Sequence, residues 1–151
     1  MNIIEFDKQY AKDFETLNLA WLEAYFIVEQ HDTEVLGNPK SYIIDNGGFI
    51  FFAIENDRVI GTAALMNEPH GWELSKMAVS DEFQGRGIGQ KLLDHCISFS
   101  KNKGWDSIML YSNRRLENAI HLYCKNGFKE LEMEKDTPYD RADIKMELML
   151  H

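Results

Sequence analysis

A chain of 151 residues, 44% hydrophobic and 27% charged, reads as one globular domain spanning 1–151 with a normal core. Its formal charge of −9 argues against nucleic acid as the main partner, because a phosphate backbone demands a basic surface; it suits a cationic or amine substrate, and equally a surface that is simply well hydrated. The longest apolar run, residues 49–54, is far too short for a membrane span. The first residues carry Glu5 and no basic stretch, which predicts no signal peptide. Cys96 and Cys124 are too few for a disulfide framework. Together these features predict a cytoplasmic protein with no membrane partner.

In chain order, a short strand is expected over residues 2–6. A helix follows with Phe14, Leu17, Trp21, Leu22, Tyr25 and Val28 on one stripe. "EQHDTEVLGNP" breaks that pattern, with a turn at residues 37–39. Residues 49–54 and 59–65 read as strands of a hairpin around "ENDR". "GWELSKMAV" is the next strand, and a period of two places Glu73, Ser75, Met77 and Val79 on one face. A glycine-rich stretch then opens a helix whose buried stripe is Ile88, Leu92, Leu93, Cys96 and Ile97, stopped by Gly104. "SIMLYSN" is a buried strand, "LENAIHLYCKNGF" a short helix ended by Asn126 and Gly127, and "DIKMELML" a last strand. Pro39, Pro69 and Pro138 fall in connections. There is no internal repeat or linker, and the alternation predicts a mixed α/β sheet covered on both sides.

The stretch "EFQGRGIGQKLLDH" concentrates three of the ten glycines in five residues. Glycines leave backbone amides bare, and a helix starting there adds unpaired N–H groups and its positive dipole end, which suits a phosphate. A Walker A loop is excluded, since no glycine stands at the required spacing before a Gly-Lys pair. A dinucleotide fingerprint would need a glycine where Gln90 stands. HExxH, paired CxxC and EF-hand patterns are missing, which predicts no metal. His121 and Cys124 form an isolated helical pair read as structural, and no G-x-S-x-G elbow serves a serine hydrolase.

"QGRGIG" fits Q/R-x-x-G-x-G/A, and residues 119–128, "AIHLYCKNGF", fit A-x-x-x-Y-x-x-x-G-F. With "FFAIENDRVIGTAAL" upstream, the chain resembles the GCN5-related N-acetyltransferases over roughly residues 48–130. The resemblance implies a central mixed, mainly antiparallel sheet of roughly six or seven strands flanked by helices, with a splayed parallel pair that admits a thioester. It implies acetyl-coenzyme A as co-substrate. Its pyrophosphate would meet backbone groups of Gln84, Gly85, Arg86, Gly87, Ile88 and Gly89, and its pantetheine arm would run along Met77, Ala78 and Val79. Arg86 would either add a charge contact or face solvent. Many family members place an asparagine seven residues before the tyrosine; Leu116 stands there in this chain, leaving Asn113 or Asn118 as substitutes.

Acetyl transfer to an amine needs a proton removed, an oxyanion stabilised and a thiolate released. Glu73 matches the general base of some family members. It lies four residues before Met77, roughly 13 Å along a strand, so it would act through water; the alternative is a solvated strand carboxylate. A backbone N–H near Met77 or Ala78 would hold the oxyanion. Tyr123 aligns with the family tyrosine beside the coenzyme sulfur. Glu29 and Asp32, with Glu73, would form an acidic lip for a small-molecule or peptide amine, or serve as helix-end caps. A polyamine, an amino acid, a drug-like amine, and a protein N-terminus or lysine all stay open as acceptors. The rival reading is a non-catalytic coenzyme A sensor or regulatory module. Exposed strand edges near the C-terminus leave a homodimer possible.

Overall fold

The computed structural model describes residues 1–136 and 140–151; Pro138, expected in a connection, lies outside them. In chain order the elements are β1 (Asn2–Glu5), α1 (Ala11–Tyr25), α2 (Gln30–Gly37), β2 (Phe49–Glu55), β3 (Arg58–Glu68), β4 (Gly71–Val79), α3 (Ile88–Asn102), β5 (Ser107–Ser112), α4 (Glu117–Lys125), β6 (Lys129–Leu131) and β7 (Ile144–Met149). Short 3-10 turns precede α1 and follow β4, and a π turn follows α2. The strands form one sheet in the order β1-β2-β3-β4-β5-β7-β6. Every neighbouring pair is antiparallel except β4 with β5. This is the expected mainly antiparallel mixed sheet.

The sheet is covered on both faces, so β2 reads as an unbroken apolar run rather than an alternating one. Phe51 and Ala53 join Leu92, Leu93 and Cys96 of α3 in one core. Ile50 and Phe52 join Phe14 and Leu22 of α1 and Leu36 of α2 in the other. The β2–β3 turn is set by Asn56 and Asp57, both left-handed at φ +50° and +61°, as a two-residue hairpin requires and as these residue types tolerate. Among the described residues, no helix is long and apolar enough to cross a membrane.

Three expectations need correction. The segment read as an irregular break is helix α2, started by a capping box between Glu29 and Asp32. The first helix ends at Tyr25, where Phe26 turns extended, so Val28 is not on it. The third is the face assigned to Glu73, while the exposed edge expected near the C-terminus is the short strand β6, which pairs with β7.

Strand β4 departs from its period of two. Thr62 pairs with Ala78 and Ala64 with Ser75, so Ala63 alone opposes Lys76 and Met77. This is a β-bulge, and Lys76 sits at its kink with φ +54°. The extra residue flips the rest of the strand. Met77 and Val79 pack with Leu74 against the α3 core, whereas Glu73 pairs with Met66, a residue of the α1–α2 side. Glu73 and Met77 therefore occupy opposite faces, not the shared face that simple alternation predicts.

Candidate active site

The parallel strands β4 and β5 share one paired position among the described residues, Glu73 with Met109. Beyond it they share no ladder. A cleft of about 380 Å³ opens there, lined by residues 73–79 of β4 and by residues 110–113 at the end of β5 and just past it. One end reaches the glycine loop at Gln84, Gly85, Gly87, Ile88 and Gly89; the other reaches Trp21, Leu22 and Phe26 of the α1 region. Asn118 and Tyr123 of α4 form a further wall.

The glycine loop has the features that suit an anion. Gly85 and Gly87 are left-handed, at φ +80° and +75°, and a Cβ on either would meet no atom within 4 Å. Gly87 is the N-cap of α3 and supplies no side-chain cap. The first helical hydrogen bond runs from the Lys91 N–H to the Gly87 carbonyl, so the amides of Ile88, Gly89 and Gln90 have no partner inside the helix. The Gln84 N–H, by contrast, is used in the preceding turn, donating to the Asp81 carbonyl. An open loop with bare amides at a helix start fits a pyrophosphate.

Arg86 turns away from the cleft. Its guanidinium makes a two-point contact with Glu55 at 3.1 Å and lies 5.1 Å over the Phe83 ring. The two asparagines differ. Asn113 donates to the Arg141 carbonyl and accepts from the Arg115 N–H, which fixes the loop before α4. Asn118 is exposed on the first turn of α4, facing the cleft.

Tyr123 projects from α4 beside Phe128, with ring centroids 5.7 Å apart. Burial pushes its hydroxyl pKa up to about 12. The hydroxyl therefore stays a donor throughout the neutral and mildly alkaline range. Glu73 is buried at 2% exposure, with the His70 imidazole 3.8 Å away. It borders both the main cleft and a smaller cavity of about 130 Å³ that it shares with His31, Asp32, Glu68 and Lys76.

Asp32 is buried and engaged by Arg141 through two contacts of 3.0 and 2.6 Å. Burial alone would raise its pKa, but the Arg141 guanidinium and the Glu29 N–H outweigh that and hold it below the ordinary value. Glu29 is exposed at the N-cap of α2. Arg141 and Lys76 both line the main cleft, and sequence reasoning singled out neither. Burial depresses the Lys76 ammonium pKa despite the nearby Glu73 carboxylate. Cys96 is a core thiol and Cys124 an exposed one.

A sheet parted at one parallel pair, with an open glycine loop at one end of the gap, is the fold of an acyl-coenzyme A-dependent transferase. A family model described as an acetyltransferase (GNAT) domain matches residues 46–130, and the chain belongs to that family, the GCN5-related N-acetyltransferases. It superposes on an acetyltransferase of the same family from Staphylococcus aureus MU50 with a TM-score of 0.87, 26% identity and 99% of each chain covered. It shares the fold of yncA from Salmonella typhimurium, solved with its cofactor acetyl-CoA, with a TM-score of 0.76, 22% identity, and 100% of this chain and 94% of that one covered. Among curated proteins it is 25% identical over 104 residues to rat (Rattus norvegicus) N-acetyltransferase 8, covering 65% of this chain and 47% of the relative. The chain spans about half the length of such relatives.

Proposed function

We propose that the chain is an N-acetyltransferase that moves the acetyl group of acetyl-coenzyme A to a primary amine by direct attack. The observation that carries this reading is the continuity of one cleft from the bare-amide loop, past the parted strands, to Glu73 and Tyr123. Bound acetyl-coenzyme A supplies the activated acyl group; the chain's own residues supply the rest.

The amides of Ile88, Gly89 and Gln90, with the α3 dipole, hold the pyrophosphate. The end of β4 carries Met77, Ala78 and Val79 along the pantetheine arm, and a backbone N–H near Met77 or Ala78 meets the developing oxyanion. Glu73 accepts the amine proton through a water. The bulge supports this role by turning Met77 to the α3 face while Glu73 stays on the α1–α2 side, whose residues Trp21, Leu22 and Leu36 wall part of the same cleft.

Tyr123 hydrogen-bonds the departing sulfur. A pKa of about 12 against about 8.5 for a thiol makes full proton transfer uphill by roughly 5 kcal/mol, so the hydroxyl stabilises the thiolate without surrendering its proton to it. Removing that donor by Tyr123→Phe is expected to lower kcat by about 10²-fold, the low end of such effects, with acetyl-coenzyme A affinity nearly unchanged. Equal turnover in the variant would remove the role. Because Tyr123 stays protonated, it contributes no loss of activity between pH 7 and about pH 10. Steady-state thiol release by Glu73→Gln tests the base: a fall of about 10²-fold or more in kcat/KM is expected, and wild-type kinetics would assign Glu73 to structure alone.

A further inference from the structure

The walls and charges of the acceptor end point to a particular kind of amine. Resting on the acetyltransferase reading above, we infer that the acceptor is a monoamine carried on an apolar, aromatic-sized body, and not a polycation. Beyond Glu73 the cleft is walled by Trp21, Leu22, Phe26 and Leu36. The polar exception, Asn18, is buried with its side-chain amide donating to the Phe14 carbonyl at 2.9 Å. Trp21 and Phe26 are half-buried rings with centroids 5.6 Å apart, and Tyr25 lies 5.6 Å from Trp21 on α1. Such tilted ring clusters offer a face or an edge to an incoming aromatic group.

The wall is held in place before any ligand arrives. Arg115, from the loop before α4, donates to the Tyr25 carbonyl at 2.6 Å and lies 5.0 Å over the Phe26 ring. This joins the end of α1 to the opposite side of the cleft, and a preformed wall binds without an ordering cost.

The charges exclude the obvious alternative for a chain of net charge −9. Among the described residues the charged side chains lining the cleft are Glu73, Lys76 and Arg141, and Arg141 is already paired with Asp32, so Glu73 is the one carboxylate of that lining. Asp32, the acid expected at the lip, lies against Arg141 and borders the smaller cavity. A single amine that gives its proton towards Glu73 meets no penalty. A polyamine would bring further ammonium groups into a cleft whose described lining offers no second carboxylate to receive them, and an ammonium taken out of water without a partner is costly.

The test is acetyl-coenzyme A-dependent thiol release with 2-phenylethylamine and tryptamine against putrescine and spermidine, at one pH and ionic strength. The expected result is a kcat/KM at least about tenfold higher for the aryl amines, consistent with one well-filled apolar subsite. In Trp21→Ala, and more mildly in Trp21→Phe, that advantage should shrink through KM, with the acetyl-coenzyme A Kd unchanged by calorimetry. Equal or better use of spermidine overturns the inference and leaves acetyl transfer standing. Binding of acetyl-coenzyme A with no thiol release for any amine overturns the acetyltransferase reading, and the inference with it.

Discussion

Gly87→Glu is expected to eliminate measurable acetyl-coenzyme A binding in a calorimetric titration while the protein stays folded. Gly87 is left-handed at φ +75° and is the N-cap of α3, and a Cβ there points into open space. A side chain is thus sterically admissible but conformationally costly, by about 1–2 kcal/mol for an ordinary L-residue. The decisive effect is electrostatic. The new carboxylate would occupy the region served by the Ile88, Gly89 and Gln90 amides and by the positive end of α3, competing with the pyrophosphate and repelling it. Gly87→Asn separates the two effects, since asparagine tolerates the left-handed conformation and brings no charge. It should weaken binding by no more than about tenfold, and unfolding temperatures of both variants should lie close together. Full affinity in Gly87→Glu would move the pyrophosphate away from this loop.

Asp32→Ala is expected to produce the largest loss of stability. The carboxylate lies in a buried two-point pair with Arg141 and also accepts the Glu29 N–H at 3.0 Å. Removing one partner of a buried pair costs about 3–5 kcal/mol, because the other charge is left uncompensated. For a chain of this length that corresponds to a drop of about 10 °C in Tm. The effect depends on pH with a definite sign. The folded pKa of Asp32 lies below its ordinary value, so its contribution is fully present above the unfolded value of about 3.9 and is lost as pH falls through the lower folded value. The stability gap between wild type and Asp32→Ala should therefore be constant near neutrality and narrow below about pH 4. A gap that widened in acid would contradict the assignment.

The parts of the fold legible in the sequence are those set by local chemistry. Asn56 and Asp57 announce a turn because few other residues accept its left-handed angles. The stripe from Ile88 to Ile97 announces α3 because helical periodicity and the core coincide. The glycine loop is legible as a candidate anion site for a similar reason: the left-handed conformations of Gly85 and Gly87 favour residues without a Cβ.

What escaped depends on distant partners. Helix α2 is eight residues long, with too few turns to show a stripe, and Asp32 on it is held by Arg141, 109 residues away. The bulge at Lys76 has no local signature, because lysine gains nothing from a left-handed angle; it exists because Ala63 of β3 faces two residues of β4. Strand β6 is three exposed residues and carries no alternation to read. Trp21 and Leu22 were visible as a buried helical stripe, but that Trp21 borders a cleft follows from where β5 and α4 lie. Glu73 is reached in the sequence through the family resemblance, and the face it shares there with Met77 rests on plain alternation, which the bulge breaks.

The most direct test of acetyl transfer to an amine is the release of coenzyme A thiol from wild-type protein, measured with and without an aryl amine, alongside the mass of the amine product. The account predicts thiol release that requires the amine and an N-acetylated product formed in equal amount. Tight binding of acetyl-coenzyme A with no amine-dependent release would contradict it, and would make the chain a coenzyme A-binding regulatory module that keeps the family's cleft without its chemistry.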